Sequence, residues 1–187
     1  MKSSSIKSFK IVVRVTFALS VFMVPAVRSL ADETIRIPRE HIQFLTGDSW
    51  RDGQRTLRLY GVQSCLRGKV YTDHLGRKQD CGVVSAAMLA AVVHDTDPIC
   101  RAVASVLDRQ GDAIPTVIVV CTVRVGDREL DLGSLLITQG FAFAALANGG
   151  KPVYMPYRTQ EMIARQAKMG LWAFDDVPLP SKDLLAQ

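Results

Sequence analysis

Residues 55–62 read Arg-Thr-Leu-Arg-Leu-Tyr-Gly-Val. Leu57, Leu59 and Gly61 fall on one face of an extended segment, Arg58 and Tyr60 on the other, so the period is that of a half-buried strand. Upstream, Ile42–Leu45 is a short apolar run closed by Gly47-Asp48. Asp52-Gly53 stands between the two runs and signals a hairpin turn. Downstream, residues 63–81 show no clear period and read as a loop. Gly82–Val93, rich in Ala, Val, Met and Leu, predicts a helix. Two β-like runs follow, 99–107 and 115–125, turned by Gln110-Gly111-Asp112, and Gly126-Asp127 begins a further turn. Leu130–Thr138 predicts a helix stopped at Gly140. Asn148-Gly149-Gly150-Lys151-Pro152 reads as a loop. Tyr157–Met169 predicts a helix with Glu161 and Arg165 four residues apart, ending at Gly170, after which Leu171-Trp172 docks. Strands, a helix, strands and more helices predict an α+β domain: a small barrel with helical cover.

The chain carries 23 Lys+Arg against 18 Asp+Glu, a formal charge of +5. That excess is local. Lys2, Lys7, Lys10, Arg14 and Arg28 lie in residues 1–31, which hold no acid, and the remainder balances at 18 bases and 18 acids. Polyanion binding through bulk charge is thereby excluded for the main domain. The basic residues precede the apolar run Val15–Val24, then Pro25, then Ser29-Leu30-Ala31, the pattern of an export signal cleaved after Ala31. The run from Ile11 to Val27 is 17 residues and contains Arg14, which is short for a membrane span. The expected organisation is a leader over 1–31, one domain over 32–176 and a flexible tail over 177–187. The expected location is the periplasm or the exterior, with no membrane span in the processed protein.

All four cysteines, Cys65, Cys81, Cys100 and Cys121, lie beyond the leader. An even number in an exported chain predicts two disulfides, and three pairings are possible. Cys100 and Cys121 each sit in a β-like run, so neighbouring strands favour that pair and leave Cys65 with Cys81. Zinc is the competing use, but no CxxC occurs and His41, His74 and His94 show no ligand spacing. No metal site is expected.

Three stretches carry a resemblance. They are Leu45-Thr46-Gly47-Asp48-Ser49 with Arg58-Leu59-Tyr60-Gly61-Val62; Asp131-Leu132-Gly133 with Leu136 and Gly140-Phe141-Ala142; and Glu161 with Ala164-Arg165 and Gly170-Leu171-Trp172. In this order and spacing they resemble the thermonuclease (staphylococcal-nuclease-like) family, over roughly residues 40–174. The resemblance implies an OB-type five-stranded β-barrel with about three helices, and hydrolysis of phosphodiesters with bound Ca²⁺. Such a site uses two carboxylates for the ion, a Glu that positions water and two arginines that stabilise charge growing on the phosphate.

Carried over residue by residue, the first metal carboxylate falls on Asp48 and the first arginine on Arg58. The motif that normally reads Asp-Ala/Thr-Pro-Glu here reads Gln63-Ser64-Cys65-Leu66. The second metal carboxylate is thus a neutral amide and the Glu is Leu66. The second arginine falls at Thr116; Arg109 and Arg124 flank that strand. Losing one charge-stabilising donor typically lowers a rate by about 10²–10³. The expectation is therefore an eroded site with Asp48 and Arg58 as remnants and with the Ca²⁺ site lost.

Bland readings stand beside these. Asp48 after Gly47 suits a turn, Arg58 a solvated strand face, Leu66 a loop residue tucked onto the core, and Tyr60, Tyr154 and Tyr157 ordinary packing rather than stacking on a base or sugar ring. Three functions follow: a divergent phosphodiesterase, a glycan-binding barrel, or an accessory envelope protein. The chain is also similar in size, leader and domain to exported nuclease-like proteins of succinoglycan (exopolysaccharide) biosynthesis, which implies an acidic polysaccharide or envelope assembly proteins as partners ahead of nucleic acid. An active secreted or periplasmic endonuclease is the competing expectation. Two acids that must face each other across a cleft, as a glycosidase needs, are not evident.

Overall fold

Thr116–Val125 (TVIVVCTVRV) is the strand around which the rest assembles. Its β-branched residues alternate, so Val117, Val119, Cys121 and Val123 are buried while the intervening residues are half-buried or exposed. The structure, a computed structural model, describes residues 34–38, 40–53, 55–106 and 114–180. The expected leader, the Gln110-Gly111-Asp112 turn, Arg109 and the tail from Ser181 onward lie outside the described residues.

In chain order the strands are β1 (Thr34–Arg36), β2 (Gln43–Thr46), β3 (Ser49–Arg51), β4 (Thr56–Leu59), β5 (Val62–Gln63), β6 (Val70–Thr72), β7 (Lys78–Asp80), β8 (Ile99–Val106), β9 (Thr116–Val125), β10 (Arg128–Asp131) and β11 (Phe143–Ala144). The helices are α1 (Cys81–Thr96), α2 (Leu132–Thr138) and α3 (Met155–Gln166), followed by a 3₁₀ turn at Gly170–Ala173. The main sheet runs β1-β8-β9-β4-β3-β2, with β10 added to β9. Among the described residues only the β4–β9 pair of this sheet is parallel. β9 changes partner along one edge: β4 covers Thr116–Val119 and β10 covers Thr122–Val125, while β8 holds the other edge. A strand that exchanges neighbours part-way along forces the sheet to curl, and the result is a half-barrel of mixed α+β architecture.

The helices close this curl. Asp80 caps α1 by accepting the Val83 N–H at 3.0 Å. Cys81, Ser85, Ala86, Leu89 and Val93 then bury one stripe against the sheet. Asp131 caps α2 by accepting the Ser134 N–H at 2.6 Å. The sequence reading began this helix at Leu130; residues 128–131 are instead strand β10, because pairing with β9 satisfies their backbone. Gly140 follows α2 with φ +77°, and a Cβ there would stand 2.0 Å from the Met169 carbonyl, so the backbones at 140 and 169 meet only with glycine. α3 starts earlier than its apolar period suggests because Pro156 suits a first turn, and it ends earlier because Lys168 takes φ +52°.

Residues 63–81 are not a plain loop. They hold β5, which pairs with β11, and the β6–β7 hairpin. These strands have two or three residues, too few for a period to be legible. The chain also stays packed past the boundary set for the tail, with Val177 and Pro180 buried. Two disulfides are present: Cys100–Cys121 joins β8 to β9, whose register sets the two residues opposite each other, and Cys65–Cys81 ties the segment after β5 to the start of α1. Among the described residues no helix is long and apolar enough to cross a membrane.

Candidate functional site around Asp48

The turn Gly47-Asp48 joins β2 to β3, with Thr46 opposite Ser49. It lies directly under α1. A Cβ on Gly47 would stand 2.5 Å from the Ser85 Cβ, so only glycine lets helix and turn approach this closely. The Leu59 N–H donates to the Asp48 carbonyl at 2.9 Å, which draws β4 alongside and sets Arg58 opposite Ser49.

Asp48 is 3% exposed. A carboxylate so buried must be hydrogen-bonded or paired, and this one is both. Its Oδ1 accepts from the hydroxyls of Thr46 and Ser64, the latter at 2.9 Å, and its Oδ2 accepts from Arg58 Nε at 3.1 Å. Thr46 and Ser49 share a further hydroxyl contact. Arg58 keeps about half of its side chain in solvent, so screening reduces the attraction to the ~0–1 kcal/mol of a surface pair. Its geometric effect is larger: one of its five N–H donors is held by Asp48 and the others are left on an oriented guanidinium.

The residues expected at the site are only partly brought together. Asp48, Arg58 and Ser64 converge. Gln63 lines a separate small pocket of about 70 Å³ with Arg158, Glu161, Arg165 and Trp172. Leu66 is 42% exposed, which corrects its reading as a residue tucked onto the core: the bridge from Cys65 to Cys81 buries Cys65 and leaves its neighbour outside. Thr116 pairs with Thr56 and stands on the Arg58 side of the sheet, two positions back along the ladder. Arg124 pairs with Glu129 at 2.9 Å, at the far end of β9.

No protein-family model matches this chain, and no curated protein matches it either.

Residues the sequence did not single out complete the site. Thr46 and Ser64 supply the hydroxyl donors, and Arg67 Nε donates to the Leu45 carbonyl at 2.9 Å, pinning the loop after β5 to β2. For Ser64 and Arg67 nothing in the local pattern signals this, because their contacts join segments 16 and 22 residues apart, whereas Thr46 stands two residues from Asp48. Beside Arg58 the tyrosines separate into two kinds. Tyr157 is buried, and its hydroxyl donates to Asp131 Oδ1 at 2.6 Å. Burial, then that hydrogen bond and the carboxylate's charge, push its phenol well above the ordinary tyrosine range. Tyr60 and Tyr154 remain exposed.

A larger open pocket, about 410 Å³, lies away from this cluster between Arg36, Asp97, Ile99, Thr122 and Arg124. Asp48 remains the candidate site because buried polar groups converge there. All four cysteines are bonded, which removes thiolate ligands and a cysteine nucleophile. The histidines are dispersed: His74 stacks on Phe174 at 4.6 Å and His94 faces Asp95.

Proposed function

We propose that this chain is an exported OB-type barrel domain of the thermonuclease kind whose inherited phosphodiesterase site no longer works with Ca²⁺. On this reading it acts by binding, in exopolysaccharide (succinoglycan) biosynthesis or another envelope role. The single observation that carries the reading is that Asp48 is a buried carboxylate already engaged by three donors, one of them a guanidinium. Calcium takes about six to eight oxygen ligands, mostly carboxylate. Asp48 already accepts from Thr46, Ser64 and Arg58, and the guanidinium beside it repels a second cation. The companion positions are an amide, Gln63, and an exposed leucine, Leu66. These residues do not fit the ion. The change of partner along β9 supports the barrel, and the two disulfides support an oxidising compartment.

Incubation of the purified protein with plasmid DNA or RNA and millimolar Ca²⁺ tests this. The expected turnover lies at least ~10² below that of a working nuclease of this kind. Ordinary Ca²⁺-dependent cleavage, abolished in Asp48→Ala and Arg58→Ala, would establish the competing endonuclease reading instead.

A further inference from the structure

Tyr60 and Tyr154 are 38% and 45% exposed, their ring centroids lie 6.4 Å apart, and their planes are inclined at 56°. They form an exposed tilted pair. Tyr60 is held at its backbone and Tyr154 at its ring. The Tyr60 N–H donates to the Val119 carbonyl at 2.9 Å, extending the β4–β9 ladder by one residue. Tyr154 meets Tyr157 edge-on at 4.9 Å, and Asp131 holds Tyr157. Between them runs Gly61, φ +68°, where a Cβ would approach the Tyr154 Cβ to 3.2 Å and the Tyr157 ring to 3.3 Å. The backbone therefore makes room for rings that then stay uncovered. Rigid, exposed tyrosines offer contact area at small entropic loss, the usual property of a recognition surface.

Arg58 stands two residues before Tyr60 on the same side of the strand, roughly 7 Å away by strand rise. Its guanidinium is oriented by Asp48 and half in solvent, with free N–H donors suited to a carboxylate. We propose that Tyr60, Tyr154 and Arg58 form a saccharide subsite that takes a pyranose ring carrying a carboxylate, the ring's C–H face on the tyrosines and its carboxylate on Arg58. A polynucleotide fits less well. It presents a phosphate at every residue and draws on several cations, whereas Arg58 offers one guanidinium and residues 32–187 carry no net charge. Tilted rings also lack the parallel faces on which successive bases stack.

The inference rests on the Asp48 cluster being a binding rather than a hydrolytic site, and the experiment separates the two. The purified protein is titrated, by tyrosine fluorescence and by NMR shifts, with an oligogalacturonide, a neutral gluco-oligosaccharide of equal length and a single-stranded oligonucleotide; Ca²⁺-dependent cleavage is assayed in parallel. The oligogalacturonide is expected to bind most tightly. Tyr154→Ala should weaken it about tenfold while Tyr154→Phe retains it. Arg58→Gln should abolish the preference for the acidic over the neutral sugar. Absence of saccharide binding without cleavage overturns the subsite alone, and ordinary Ca²⁺ cleavage overturns the reading beneath it. Saccharide binding unchanged in Tyr154→Ala, or tighter binding of the oligonucleotide at these tyrosines, also overturns the subsite.

Discussion

The molecule has two cores built on different principles. The larger one joins Trp50, Leu57, Leu59, Val117, Val119 and Val123 of the sheet to Leu89 of α1 and Leu132, Leu136 and Ile137 of α2. Most of its parts are the longer elements, and burial of apolar area, with the Cys100–Cys121 bond, holds it. The smaller gathers Cys65, Tyr71, Cys81, Phe143, Leu171 and Val177, with Trp172 and Phe174 packed against them. Its parts are a short hairpin, a two-residue strand and a 3₁₀ turn, none of which is stable alone. It leans more heavily on covalent and polar ties: the Cys65–Cys81 bond, and Asp176, which accepts from the Thr72 N–H at 3.0 Å and the Thr72 hydroxyl at 2.7 Å. The contrast teaches that apolar area makes the first region cooperative, while the second depends on a few individual bonds.

The largest expected effect breaks the first core. Trp50 is fully buried, and Trp50→Ala should lower stability by ~3–5 kcal/mol, read from the urea midpoint. Trp50→Phe should lose less, because the indole N–H it removes is buried without a partner. If both variants unfold at the wild-type midpoint, the sheet core is not what carries the fold.

A smaller and more local effect should follow from replacing Cys65 and Cys81 together with alanine. The bond closes a 16-residue separation, worth about 3 kcal/mol on the loop-entropy scale. Hydrogen exchange should then show the β6–β7 amides opening while those of β8 and β9 keep their protection. Uniform loss of protection would merge the two regions into one.

The smallest effect is one of pH. Asp73 accepts the Arg77 N–H, then side-chain bonds from Gln79 and Arg77 and the Leu75 N–H, which together outweigh burial and hold its carboxyl far below the usual range. The Thr72 N–H and hydroxyl lower Asp176 in the same way. Both folded values lie below the unfolded one, so the stabilisation is complete above about pH 4 and fades as pH falls further. Acid titration followed by NMR should loosen Tyr71 and Phe174, which pack at 4.7 Å, before the sheet responds. Simultaneous loss, or loosening at alkaline pH, would contradict this.

How much of this was legible follows element length and contact distance. Gly82–Val93 announces itself by its helix-forming composition and the runs at 99–107 and 115–125 by their β-like character, each sustained over many residues. The hairpin over 70–80 does not, since three residues cannot establish alternation and its turn is set by the Asp73 carboxylate. At the site, Asp48 and Arg58 were singled out only through the family resemblance; Ser64, 16 residues from Asp48, was not.

Leu57 alternating with Arg58 and the apolar run of β9 are local chemistry, and the order of residues alone determines them. Which carboxylate is buried among donors, which tyrosines stay in solvent, and how β9 divides one edge between β4 and β10 depend on segments distant in the chain meeting in space. Side-chain period is a property of neighbours in sequence, whereas hydrogen-bond partnership is a property of neighbours in the fold, and only the folded chain supplies the second.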